Sequence, residues 1–352
     1  VIQQLRKQET FFKSVATTDP IVLCASDDNY IMPLAVTLHS AASNLKPGNH
    51  LHVLLMDGGI SEASWTGLRE TLLDLPMTIH VMRPDKKEVS DLGISHHITH
   101  TAYFRLLAAR LLPDSIDKVI YLDSDVLVQG DLTELWNYDV GDNYCLAAVD
   151  ISCPYINAYE AQKKFGDLKK SLPHLNVITP VANWQELGLD GAGEYFNSGV
   201  MVLNIARWRN ESIDKKLLAC LRDNPAYVWC WDQYALNVVF AGQWKKLPAR
   251  WNQGAHTFEY PDETFGPIDA DEFAEMRDNP AIVHFTTEFK PWKYHPFHPA
   301  RDLFYEQLDQ TAWAGWRPEK PEFSLKRWWD LKAIYMIRQI LTNYRKVRTI
   351  FK

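Results

Sequence analysis

The first clear pattern along the chain is Ile21–Ala25 (IVLCA), an apolar run of strand length that stops abruptly at Ser26-Asp27-Asp28-Asn29-Tyr30. An amphipathic stretch from about Met32 to Ala42 predicts a helix, and Leu51–Met56 (LHVLLM) a second buried strand. Ser61, with Ser64 one turn on, marks the N-cap of a helix running to about Leu73. Met77–Met82 predicts a third strand. After a polar loop, a helix over about 101–112 leads into Lys118–Leu122 (KVIYL) and a further strand over Tyr144–Val149. Buried runs alternating with helical periodicity are the grammar of βαβ units. The expected class is therefore α/β, with a mostly parallel, Rossmann-like sheet flanked by helices.

The second half is less regular. Tyr195–Asn204 (YFNSGVMVLN) predicts a strand in which Gly199 permits close backbone approach, and helical patterns follow at about 205–222 and 231–241. Residues 253–280 hold eight acids and one base and predict an exposed excursion. Ile282–Phe285 is a last short strand, ending near Lys290-Pro291-Trp292. No internal repeat or low-complexity tract interrupts this organisation.

Composition narrows the classes. The 352 residues are 46% hydrophobic and 23% charged, which excludes a disordered or fibrous protein. No apolar window approaches the roughly 18 residues of a transmembrane helix. Five scattered cysteines (24, 145, 153, 220, 230) make neither a disulfide framework nor a zinc ribbon, and Cys24, Cys145 and Cys220 read as buried thiols of a reducing compartment. The start, Val1–Lys13, lacks the apolar core of a signal peptide. A cytoplasmic location is the expectation, in keeping with the buried thiols. Residues 321–352 carry eight basic residues against Glu322 and Asp330, a net of +6, leaving −13 on the first 320 residues of a chain whose total is −7. An acidic body argues against nucleic acid as a partner, while the basic end requires its own explanation.

In open α/β sheets, ligands sit beyond the carboxyl ends of the strands. Two predicted strand ends finish in acid. In Asp123-Ser124-Asp125, residues two apart project the same way, and two hard oxygen ligands suit Mg²⁺ or Mn²⁺, which bridge phosphate oxygens; the same segment also reads as a turn with two surface acids. In Asp27-Asp28-Asn29-Tyr30, a carboxylate can accept from a base imide or a ribose hydroxyl while Tyr30 offers a stacking face, or the segment simply caps the next helix. His284 can complete a metal shell or be a satisfied core residue. Lys290 can counter a phosphate or be a solvated lysine. Asp232 can cap a helix, with Gln233 offering an amide oxygen to positive charge. His96, His97 and His100 read as polar loop residues.

Taken in order, six segments resemble glycosyltransferase family 8, which includes bacterial lipopolysaccharide galactosyl- and glucosyltransferases and glycogenin. They are ASDDNY (Ala25–Tyr30), AYFRL (Ala102–Leu106), YLDSDVLVQGDLTELW (Tyr121–Trp136), FNSGVMVLN (Phe196–Asn204), WDQYALN (Trp231–Asn237) and HFTTEFKPW (His284–Trp292). They span about three quarters of the chain. The resemblance implies a GT-A catalytic domain over 20–300, between an N-terminal extension (1–19) and a C-terminal helical extension (301–352). It also implies retaining transfer of glucose or galactose from a UDP-hexose to a glycan or glycolipid of a bacterial surface. By motif position, Asp123, Asp125 and His284 would hold Mn²⁺ (or Mg²⁺). Ala25, Asp27, Asn29, Tyr30 and Ser124 would hold the nucleotide, and Lys290 the diphosphate. Arg105, Asn197, Asp232 and Gln233 would line the donor sugar, with Gln233, Asp232 and Lys290 at the reaction itself. The family often has glycine where this chain has Thr287, a position at which glycine lets backbone approach phosphate.

The tail resembles the basic, aromatic C-termini of the lipopolysaccharide enzymes. As a helix it puts Trp329, Ala333, Met336, Ile340, Tyr344 and Val347 on one face and Arg327, Arg338 and Arg345 opposite, a pattern suited to an anionic membrane surface or to docking on the domain. Peripheral attachment to the inner face of the membrane is the expectation. The rival readings are a metal-dependent nucleotidyltransferase, which would want a basic phosphate loop where Ser26–Tyr30 is acidic, and a membrane-associated glycan-binding scaffold that has lost turnover.

Overall fold

The apolar runs become strands with nearly continuous burial. In the computed structural model, which describes residues 2–4, 19–94, 99–165, 178–260, 262, 267–287, 290–293, 299–319, 336 and 340, the strands are β1 (Ile2–Gln4), β2 (Ile21–Ser26), β3 (Leu51–Asp57), β4 (Met77–Met82), β5 (Lys118–Leu122), β6 (Val126–Val128), β7 (Cys145–Val149), β8 (Phe196–Asn204), β9 (Trp244–Lys246), β10 (Gln253–Gly254) and β11 (Ile282–His284). Val22, Leu23, Cys24, Val53 and Leu54 are fully buried, because helices cover both faces of a parallel sheet. The main sheet runs β1-β4-β3-β2-β5-β8-β7-β9. Neighbours from β1 to β5 are parallel, β8 is antiparallel to both β5 and β7, and β9 is parallel to β7.

The order fixes where a ligand belongs. From β2 the chain proceeds outward to β3 and β4, then returns to place β5 on the other side of β2. The crevice at this reversal lies beyond the ends of β2 and β5, where Asp27 and Asp123 stand. A second sheet, β10-β11-β6, completes it. β6 follows Asp125 directly, and β11 pairs antiparallel to it with His284 opposite Val126, so Phe285 N donates to Asp125 O at 3.0 Å. The helix Ile31–Ser43 pins β6 with two buried hydroxyls: Thr37 Oγ1 donates to Val126 O at 2.7 Å, and Ser40 Oγ accepts from Val128 N at 3.0 Å.

Ser61 caps the helix Glu62–Thr71 as expected, accepting from Ser64 N at 3.3 Å. Three expectations change. The helix anticipated over 101–112 is a 3₁₀ helix, His100–Leu107, followed by one α turn, Ala108–Leu111. A 3₁₀ helix aligns residues three apart, which turns Thr99, Ala102 and Arg105 together toward the cleft described below. The pattern over 205–222 splits into Ile205–Asn210 and Ile213–Asp223 at Ser212, whose φ of 49° ends the first helix. Residues 253–280 are not a free excursion. Phe273 and Met276, three apart on the helix Ala270–Asp278, pack with Tyr260, Ile151 and Ala249, leaving Asp271, Glu275 and Asp278 outward.

Residues 301–313 stay on the domain. Phe304 and Leu308 of the helix Arg301–Leu308 pack with Val36, Val283, Phe285 and Trp292, and Ala312 N donates to Thr71 Oγ1 at 3.0 Å. The basic tail lies outside the described residues except for Met336 and Ile340, both helical and exposed. No helix among the described residues is long and apolar enough to cross a membrane.

At the opposite end of the sheet from the acidic strand ends, His50, His52 and His80 form a ladder with ring separations of 5.0 and 6.0 Å. Burial first, and then the neighbouring His52, lower His80 from 6.5 to about 4. The unfolded chain therefore binds a proton at His80 that the fold refuses, so stability is lost as pH falls from 6.5 toward 4. His80→Leu is expected to flatten this loss, which urea midpoints measured above and within that window will show.

Candidate active site

A cleft of about 860 Å³ opens at the carboxyl ends of the strands. On its β2 side, Asp27 accepts from Asn29 N at 3.0 Å through one oxygen and from Thr99 Oγ1 at 2.6 Å through the other. Tyr30 stands edge-on to Trp292, with ring centroids 6.2 Å apart. Ser124 Oγ donates to Ala25 O at 2.7 Å, tying the end of β2 to the turn after β5.

In the middle, ligand-type atoms of Asp123, Asp125 and His284 all lie within 4.8 Å of one another. Each carboxylate has one oxygen on a cation and the other toward the imidazole. Asp123 Oδ1 receives Arg105 Nη2 at 2.5 Å and Tyr121 Oη at 2.9 Å, while its Oδ2 is 3.8 Å from His284 Nε2. Asp125 Oδ2 is 2.5 Å from Lys290 Nζ, while its Oδ1 is 3.3 Å from His284 Nε2. Burial pushes the Asp125 carboxyl up, but Lys290 and His284 outweigh it and hold the group well below the usual carboxylate range. His284 Nδ1 donates to Asn252 Oδ1 at 2.9 Å, and Asn252 Nδ2 is committed to Asn197 Oδ1 at 2.9 Å. With Nδ1 engaged by Asn252, Nε2 is the ring nitrogen left facing the two carboxylates, the orientation in which a histidine ligates a metal. Gly199 makes the room: a Cβ there would stand 2.2 Å from His284 Cε1 and 2.8 Å from Asp123 Oδ2. Two hard oxygens and one imidazole suit Mn²⁺ or Mg²⁺, so these residues fit a divalent cation.

On the β7 and β8 side, Asp232 is no helix cap. It is the second residue of the helix Trp231–Val239, buried, with its Oδ2 3.0 Å from Arg105 Nε. Burial lifts Asp232 to about 6, against the pull of Arg105 and with a push from Asp123. Arg105 is almost fully buried between the two carboxylates, and they keep its guanidinium charged against the effect of burial. Gln233 Oε1 accepts from Ser198 N at 3.0 Å, and its Nε2 donates to Asp150 Oδ2 at 3.0 Å.

Of the residues singled out from the sequence, Ala25, Asp27, Tyr30, Arg105, Asp123, Ser124, Asp125, Asn197, Asp232, Gln233, His284 and Lys290 line this one cleft. Asn29 does not; it is exposed, and its backbone N–H serves Asp27. His100 faces Leu92 O at 3.2 Å, while His96 and His97 lie outside the described residues. Thr287 adopts φ 71°, the left-handed region that favours glycine, so this position demands the conformation although a threonine fills it. Sequence reasoning missed Asp150 and Asn252. Asp150 directly follows the buried run CLAAV, so the rule that singled out Asp27 and Asp123 would have found it. Nothing local marks Asn252, whose role depends on a partner 32 residues away.

Comparison with known proteins agrees with this geometry. General stress protein A of Bacillus subtilis (strain 168) is 30% identical over 296 residues, 83% of this chain and 94% of that protein. The lipopolysaccharide 1,3-galactosyltransferase of Salmonella typhimurium is 25% identical over 233 residues, 65% of this chain and 60% of that protein. The crystal structure of galactosyltransferase LgtC in complex with donor and acceptor sugar analogs superposes with a TM-score of 0.66 at 25% identity, covering 85% of this chain and 98% of that one. The architecture is thus the GT-A fold. Residues 20–295 match the family model of glycosyl transferase family 8, and the chain belongs to that family of hexosyltransferases.

Proposed function

We propose that the protein is a metal-dependent, retaining transferase that moves glucose or galactose from a UDP-hexose to a glycan or glycolipid acceptor of the bacterial surface. The observation that carries this reading is the convergence of Asp123, Asp125 and His284 within 4.8 Å, with Lys290 beside them, at the switch point of the sheet. Asp123, Asp125 and His284 would hold Mn²⁺ (or Mg²⁺), which when bound neutralises charge growing on the departing diphosphate. Lys290 adds a second positive charge on that side. Asp27 and Tyr30, with Ala25 and Ser124 around them, would hold the uridine. Arg105, Asn197, Asp232 and Gln233 would orient the hexose.

Front-face transfer is favoured by how the nearby groups are engaged. Asp150 accepts four hydrogen bonds, from Ser152 N, Ser152 Oγ, Asn197 Nδ2 and Gln233 Nε2. Asp232 pairs with Arg105, and the Gln233 oxygen with Ser198 N. Committed in this way, they suit positioning better than nucleophilic attack. In the proposed reaction the anomeric carbon–oxygen bond breaks toward the diphosphate, and the acceptor oxygen bonds on the same face. Its proton passes to the departing phosphate oxygen. A sugar trapped covalently on Asp150, Asp232 or Gln233 would overturn this.

UDP release from UDP-glucose, UDP-galactose and GDP-hexoses, with Mn²⁺ and with EDTA, tests the class. Release from one UDP-hexose, abolished by EDTA, is expected. Failure to bind UDP in the presence of Mn²⁺ would refute the reading. For the tail, the exposure of Met336 and Ile340, both helical and four positions apart, supports attachment to an anionic membrane. Sedimentation with anionic vesicles should be lost on deletion of residues 321–352 and retained by the full chain.

A further inference from the structure

The strand order sets out the cleft as a sequence of positions. Asp27 and Tyr30 stand beyond β2, the Asp123-Asp125 pair beyond β5, Asn197 and Ser198 at the start of β8, and Asp150 beyond β7. On the proposed reading, nucleotide, diphosphate and hexose occupy these positions in turn, so the acceptor approaches from the β7 side. Trp229 lines the cleft together with Ile151, Ser152 and His256. It is 54% exposed, and among the described residues no other exposed large apolar side chain lines the cleft. Its segment leads into the helix that carries Asp232 and Gln233 through Trp231, which is held at φ 44°. A bulky residue in that conformation is strained, and such strain marks segments fixed for a purpose.

We propose that Trp229 is the acceptor platform: its indole face stacks on the C–H face of an uncharged pyranose and so helps set acceptor specificity. This rests on the donor reading above. An exposed indole lining the cleft presents the flat apolar surface that a sugar's C–H face matches.

The test is ¹⁹F NMR of fluorotryptophan-labelled protein with UDP and Mn²⁺, using Trp229→Phe and Trp292→Phe to assign two signals. Methyl glucosides, methyl galactosides and lactose, raised to tenth-molar concentration, are the probes. The expected result is a saturable shift of the Trp229 signal with at least one of them. In Trp229→Ala, saturation transfer to that sugar's protons should report binding weakened several-fold to about tenfold. A Trp229 signal that no sugar moves, or binding unchanged in Trp229→Ala, overturns the proposal. Trp292, which touches Tyr30, reports the nucleotide end in the same spectra. If UDP and Mn²⁺ leave its signal unmoved, it is the donor reading that fails.

Discussion

Asp125→Asn is expected to lower Mn²⁺-dependent UDP release about a thousandfold, the several kcal/mol that a bound cation supplies to a departing phosphate. The substitution keeps the shape of the side chain and removes its charge, which has two separable effects. One is on the donor set: the oxygen 3.3 Å from His284 Nε2 becomes a neutral amide atom, and only Asp123 still brings negative charge. The other is on Lys290, which is 8% exposed and has its Nζ 2.5 Å from the lost carboxylate. An unpaired buried cation costs about 3 kcal/mol, so Asp125→Asn should also melt earlier than the parent. Adding Lys290→Met removes the stranded charge. The double variant should therefore regain thermal stability without regaining UDP release. Melting curves with and without Mn²⁺ and UDP complete the check, since the wild-type protein should be stabilised by ligand and Asp125→Asn should not. Wild-type turnover in Asp125→Asn would refute the assignment of these residues to a cation.

The parts of the site legible in the sequence were those encoded by a strand and the residue that follows it. IVLCA and KVIYL are buried runs whose length and abrupt acidic ends depend only on local sequence, so β2 and β5 and the groups beyond them followed from pattern alone. Local sequence left His284 open between a metal ligand and a satisfied core residue, and only the ordered motifs favoured the ligand. Its approach to Asp125 is made by the antiparallel pairing of β11 with β6, a contact between residues more than 150 positions apart that periodicity cannot reveal. The 3₁₀ form of His100–Leu107 was hidden for a related reason. Its apolar spacing suits an α helix, and the tighter winding accompanies tertiary bonds from Arg105 to Asp123 and Ser198. The acidic stretch 253–280 misled because its charges dominate the composition, while Phe273 and Met276 decide its packing. Across these cases, what sequence withheld was long-range pairing.

Gly199→Ala should be nearly as damaging as the loss of a ligand, although the added methyl touches no substrate. Gly199 lies in the buried middle of β8, and its backbone is fixed from both sides: its carbonyl accepts from Asp123 N at 2.8 Å, and its N–H donates to Asn197 Oδ1 at 3.0 Å. The glycine is needed here for room, because a Cβ would meet His284 Cε1 at 2.2 Å, His284 Nδ1 at 2.8 Å and Asp123 Oδ2 at 2.8 Å. With the strand unable to retreat, the imidazole must turn, and turning breaks its bond to Asn252 Oδ1. Loss of that orienting bond alone is expected to weaken Mn²⁺ binding about 10- to 100-fold, and overpacking costs about 1–3 kcal/mol of stability. The clash can be separated from the loss of metal. His284→Ala in the Gly199→Ala background opens the space again, so the double variant should recover stability relative to Gly199→Ala while remaining inactive. Mn²⁺ titration and thermal melting of the three variants decide the matter. Wild-type Mn²⁺ affinity in Gly199→Ala would mean that His284 does not bind the cation in the arrangement described, because no position of the ring satisfies both the methyl and the ligand geometry.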